Sequence, residues 1–120
     1  MTKPTRRQWR DYATPAGRRP VKEFLASPKL SDGDAAAIVA AMKAVALDGP
    51  PAARHLRGDI YEVRADGNGA TYRVLFAAEG KFGQVLLALE AISKKSQKTP
   101  TNTLALAERR LHDWRSRGKA

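Results

Sequence analysis

Ile60-Tyr61-Glu62-Val63-Arg64-Ala65-Asp66-Gly67-Asn68-Gly69-Ala70-Thr71-Tyr72-Arg73-Val74-Leu75-Phe76-Ala77 is the stretch whose reading decides the fold. Apolar and polar residues alternate with a period of two on either side of Asp66-Gly67-Asn68-Gly69, a cluster of turn-forming residues. The stretch therefore predicts two antiparallel strands, 60–64 and 71–77, joined by a turn. With Ala65 opposite Ala70, Glu62 lies opposite Arg73 and Arg64 opposite Thr71, all with side chains on one face. A slip of one residue would send Arg64 and Arg73 to opposite faces.

A second turn, Glu79-Gly80-Lys81-Phe82-Gly83, leads into Gln84-Val85-Leu86-Leu87-Ala88-Leu89-Glu90-Ala91-Ile92. Nearly every position of that run is apolar, as expected for an interior strand covered on both faces, so a three-stranded meander is predicted. Upstream, Arg7 to Tyr12 reads as a candidate N-terminal strand. Pro20 opens a short helix through Leu25 that Pro28 closes, with Val21, Phe24 and Leu25 on its inner face. Ser31-Asp32-Gly33-Asp34 supplies caps and first-turn acids for a longer helix reaching Asp48, and Gly49-Pro50-Pro51 stops it. Ala35, Ile38, Met42 and Val45, flanked by Val39 and Ala46, recur along it at helical spacing. Downstream, Ser93-Lys94-Lys95-Ser96-Gln97-Lys98 precedes Thr99 as N-cap and Pro100 as the first residue of a closing helix, which turns Leu104, Ala107, Leu111 and Trp114 inward. The expected fold class is α+β: an antiparallel sheet packed with two N-terminal helices and a C-terminal helix. The 120 residues fit a single domain, 1–120.

Twenty-two Lys and Arg against twelve Asp and Glu give a net charge of +10, which favours a polyanionic partner, nucleic acid first. The absence of cysteine excludes disulfides, thiolate nucleophiles and cysteine metal sites. With only two histidines besides, no metal and no cofactor are expected. No apolar run follows the basic start and none approaches membrane-spanning length, so a cytoplasmic protein with no membrane contact is expected.

The interior strand returns to the end of the sheet where Arg64 leaves it, and delivers Lys94 and Lys95 there. Guanidinium and ammonium groups gathered at one end suit phosphate. The competing reading makes Glu62 and Arg73 an ordinary cross-strand ion pair, and Lys94, Lys95 and Lys98 a solvated loop. The sheet geometry by itself leaves both open.

The succession Leu56-Arg57-Gly58-Asp59-Ile60-Tyr61-Glu62-Val63-Arg64, then Tyr72-Arg73-Val74-Leu75-Phe76, then Lys94-Lys95-Ser96-Gln97-Lys98-Thr99-Pro100, then Ala107-Glu108-Arg109-Arg110 resembles the phage-derived HigB-like branch of the RelE toxin superfamily. The resemblance covers about half the chain, and its most specific piece is the Lys-Lys-Ser-Gln-Lys-Thr-Pro run. One departure is that the family usually has an aromatic shortly before the double lysine, where this chain has Ala91-Ile92-Ser93.

The resemblance implies the toxin of a type II toxin–antitoxin system, an endoribonuclease that cuts mRNA on the ribosome without a metal. It also implies neutralisation by a cognate HigA-like helix-turn-helix antitoxin. By resemblance Arg64, Arg73 and Lys94 form the catalytic centre, and Glu62 acts as general base or orients Arg73. Lys95 and Lys98 hold RNA phosphates, and Arg57 and His55, in a loop before the first meander strand, are further candidate RNA contacts. His112 is expected to be structural or solvent-facing and Trp114 to lie in the core, while Trp9 stays open between core and partner contact. The competing functions are a non-catalytic basic RNA- or DNA-binding module and an interaction protein whose charge receives an acidic partner.

Overall fold

The computed structural model describes residues 7–94 and 99–118. Five strands form one sheet: β1 (Gln8–Asp11), β2 (Arg54–Arg57), β3 (Ile60–Asp66), β4 (Thr71–Glu79) and β5 (Val85–Lys94), in the order β1-β5-β4-β3-β2. β1 runs parallel to β5, and the other pairs are antiparallel. Three helices complete an α+β fold: α1 (Pro20–Leu25), α2 (Asp32–Asp48) and α3 (Thr101–Ser116). None is long and apolar enough to cross a membrane.

The period-two pattern sorts side chains between two layers. Val63, Val74, Phe76, Leu86 and Ala88 meet Val21 of α1 and Ile38, Met42 and Val45 of α2 on one face. Ile60, Leu75, Ala77, Leu87 and Leu89 meet Tyr12 and, from α3, Ala107 and Leu111 on the other. Covered on both sides, β4 buries Val74, Leu75, Phe76 and Ala77 in succession. α2 starts where its capping residues direct, with Ser31 Oγ accepting the Asp34 N–H at 3.0 Å. Val39, expected to flank the inner face of α2, is instead 40 % exposed.

The expected hairpin register is corrected by two residues. Asp66, not Ala65, closes the ladder, opposite Thr71; Arg64 stands opposite Arg73, and Glu62 opposite Leu75. A shift of two preserves the face of every side chain, so Glu62, Arg64 and Arg73 still share one side. The cause is long-range. The Asp34 carboxylate accepts the Tyr72 hydroxyl at 2.6 Å and the Asn68 N–H at 2.9 Å, pinning the turn to the start of α2. Gly67 is needed at this junction, because a Cβ there would lie 2.6 Å from the Tyr72 ring and 2.7 Å from the Asp34 carboxyl carbon.

Three further expectations change. The loop holding His55 and Arg57 is the edge strand β2, placed beside β3 by a short helical turn over Pro50–Ala52. β5 continues through Ser93 and Lys94, opposite Tyr72 and Thr71, so the start of the polar run lies in the sheet. Thr99 does not cap α3: Pro100 holds the N-cap position, and the Thr99 hydroxyl bonds to Glu62 instead.

The bonds from Tyr72 and from the Asn68 backbone hold the Asp34 carboxyl below its ordinary value near 3.8. The stability this carboxylate contributes is therefore present above that value and is lost as pH falls through the lower folded-state value. Asp34→Asn resembles the protonated acid, so it should be less stable than wild type at pH 6 by urea unfolding. The gap should narrow as the pH falls below 3.8; a gap independent of pH would show that the charge is not what secures the turn.

Candidate functional site

Arg73 and Glu62 lie wholly inside the protein, each side chain 0 % exposed, in the layer between the sheet and the chain entering α3. Their strands bring them together diagonally, and Arg73 Nη1 approaches Glu62 Oε1 at 3.4 Å. Thr99 completes the group. Its Oγ1 accepts from Arg73 Nη1 at 3.1 Å, and its hydroxyl donates to Glu62 Oε1. Glu62 Oε2 has no hydrogen-bond partner among the described residues. Two opposite charges can stay buried because they offset each other; either one alone would be strongly disfavoured.

Arg64 has the opposite fate. It stands directly across from Arg73, but its side chain is 40 % exposed and its nearest carboxylate, the solvent-facing Asp66, lies 3.8 Å away. Among the described residues the β3–β4 ladder ends here, at Asp66 and Thr71. One guanidinium therefore faces water while its neighbour is enclosed. Lys94 ends β5 opposite Thr71, two positions along β4 from Arg73, so adjoining strands carry Arg64, Arg73 and the Lys94 backbone at the same end. The Lys94 side chain, Lys95 and Lys98 fall outside the described residues.

Arg57 and His55 are not brought to this end. They pair with Ile60 and Tyr61 at the start of β3, four residues before Arg64 in the sequence. Arg57 grips Glu108 of α3 with Nε at 3.2 Å and Nη2 at 2.6 Å, which holds the Glu108 carboxyl below its usual range. His55 Nε2 lies 2.7 Å from the Gly58 carbonyl, and its ring tilts against Tyr61. Trp9 is also accounted for: its Nε1 donates to the Met42 carbonyl at 2.8 Å and its ring meets Phe76 edge-on. Trp114 is half-buried against the α3-side core, and His112 is exposed on α3. Thr99 is the member of the buried group that the sequence did not indicate. Its position before Pro100 signalled a helix cap, and only the fold reveals Glu62 beneath it.

An exposed arginine suits a phosphate, because its planar fork offers several donors and its charge is permanent. The enclosed Arg73 can supply a fixed positive potential below that point, moderated by Glu62.

Residues 23–112 match the family model described as Phage derived protein Gp49-like (DUF891). This family stands in the RelE/HigB-like toxin–antitoxin context. The match spans the second half of α1, all of α2, most of α3 and all of the sheet except β1. No curated protein matches the chain.

The two arginines should separate in unfolding experiments. Arg73→Ala leaves Glu62 buried without its countercharge and should cost about 3 to 5 kcal/mol by urea denaturation. Arg64→Ala should change stability by no more than about 0.5 kcal/mol. Equal losses for both would show that Arg73 is not the enclosed partner of Glu62.

Proposed function

The chain belongs to the Gp49-like phage-derived family, and from that premise we propose that it is the toxin of a type II toxin–antitoxin pair, an endoribonuclease that cleaves mRNA on the ribosome. Supporting this reading is one feature of the sheet: Arg64, Arg73 and the residue that ends β5, Lys94, stand on adjoining strands at one end. The proposed setting is the cytoplasm. The proposed partners are the ribosome, its message and a HigA-like helix-turn-helix antitoxin.

In this reading the ribose 2′ oxygen attacks the adjacent phosphorus and the P–O5′ bond breaks, leaving a cyclic phosphate and a free 5′-hydroxyl. Three tasks follow: accepting the 2′ proton, neutralising charge on the phosphorane and protonating the departing oxygen. Arg64 takes the second, since it is the arginine that solvent and substrate can reach. A poised donor of this kind contributes about 3 to 4 kcal/mol to the transition state. Lys94 is assigned to proton transfer, and Lys95 and Lys98 to the flanking phosphates. Glu62, enclosed with Arg73, is assigned to holding that guanidinium rather than to taking the proton. On the ribosome, positioning of the message adds to what these few groups achieve.

The enclosure of Arg73 is also the observation that favours a second reading, a non-catalytic nucleic-acid-binding module. A guanidinium that keeps its carboxylate partner cannot form a fork with phosphate, which leaves Arg64 as the accessible arginine of the opposed pair.

Arg64→Ala separates the two without unfolding the protein. As a toxin, the wild type arrests growth on expression and cuts transcripts at the ribosome, and the variant loses about 100- to 1000-fold in cleavage rate. Wild-type protein that binds RNA with a logarithmic salt slope near −0.7 per phosphate, yet leaves every transcript whole, would support the binding module. Cleavage unchanged by the substitution would remove Arg64 from the mechanism.

A further inference from the structure

The turn between β4 and β5 holds a residue that folding does not explain. Phe82 has φ +61, the one non-glycine residue with positive φ among the described residues. Left-handed backbone is unfavourable for a bulky side chain, and glycine or asparagine would adopt it with less strain. The ring gains nothing from packing, for it is 82 % exposed and belongs to neither core. Strain and lost burial thus fall on one side chain, at the tip of a turn flanked by Gly80 and Gly83.

Its surroundings indicate what the ring is for. Lys81 Nζ lies 5.4 Å from the ring centroid. Glu79, the acid of this turn, is buried and held by Arg115 at 2.6 and 3.1 Å, so it does not neutralise Lys81. A protein-docking aromatic usually sits at the centre of a contiguous packed patch, whereas Phe82 belongs to neither apolar cluster and is followed by Gly83. An exposed aromatic ring beside an ammonium with no carboxylate partner among the described residues matches a nucleotide instead, with the base on the ring and the phosphate on the cation.

We propose that Phe82 and Lys81 form a second RNA contact, in which the ring stacks on an unpaired base and the lysine takes its phosphate. The contact does not depend on the catalytic reading. Glu79 pairs with Val85 at this end of the β4–β5 ladder, and Thr71 with Lys94 at the other. Eight strand steps of about 3.4 Å separate them, so the ring reaches a part of the RNA remote from whatever the basic end holds.

The test uses the full chain, with a single-stranded oligoadenylate and purified ribosomes as probes. Phe82→Gly should unfold at a higher temperature than wild type, because the backbone strain is gone, yet bind RNA about 5- to 100-fold more weakly. Phe82→Trp should keep the affinity and show added fluorescence quenching on binding, over the background of Trp9 and Trp114. Lys81→Ala should lower the salt slope for the oligonucleotide by about 0.7. The proposal is overturned if Phe82→Gly binds both probes as tightly as wild type, or if the wild-type chain binds neither. It is equally overturned if Phe82→Gly is less stable, which would make the ring structural. Self-association that disappears in Phe82→Gly would overturn it too, by showing that the ring docks on a second copy.

Discussion

The buried ion pair between Glu62 and Arg73 is the constraint on which the basic end of the sheet depends. Neither group can remain inside without the other, so the pair requires that β3 and β4 hold both on one face and within reach, which the observed register does by setting them diagonally adjacent. Thr99 extends the requirement to the chain entering α3, since its hydroxyl reaches both charges. Strand, neighbouring strand and helix entry are joined at one buried point. The same pairing divides the labour of two opposed arginines. Arg73 becomes part of the interior, and Arg64 is left at the surface.

Elsewhere the arginines are also structural. Arg19, Arg57, Arg110 and Arg115 each reach a carboxylate and tie helices or their approaches to the sheet, while Arg18 and Arg117 pair with acids on α1 and α3. No lysine among the described residues enters an ion pair, so Lys22, Lys29, Lys43 and Lys81 add positive charge that no carboxylate there offsets. Exposed pairs of this kind add little to stability and leave unmatched cations to attract a polyanion. The RNA partner proposed for this chain would meet different chemistry at the two ends of the β4–β5 ladder.

Much of the fold was legible because periodicity reports it directly. The alternation around Tyr61 and Val63, the apolar run from Val85 and the breakers at Pro20, Gly49 and Pro100 marked the central strands and all three helices. What stayed hidden was set by contacts distant in sequence. The grip of Asp34 on Asn68 and Tyr72, which fixes the turn, spans more than thirty residues, and nothing local distinguishes a ladder closed at Asp66 from one closed at Ala65. β2 escaped notice because an edge strand with exposed Arg54, His55 and Arg57 shows no alternation. The candidate site was legible in part: parity put Glu62, Arg64 and Arg73 on one face. It could not reveal which arginine is enclosed, because a cation in a strand reads as exposed until its partner and cover are known.

A double-mutant cycle on Glu62→Gln and Arg73→Met, followed by urea unfolding, tests this account most directly. If the two charges hold each other inside the protein, the double variant will lose less stability than the sum of the single variants, with a coupling of about 2 kcal/mol or more. Losses that add to within about 0.5 kcal/mol would contradict it, because the arginines would then not be divided between interior and surface by this pair.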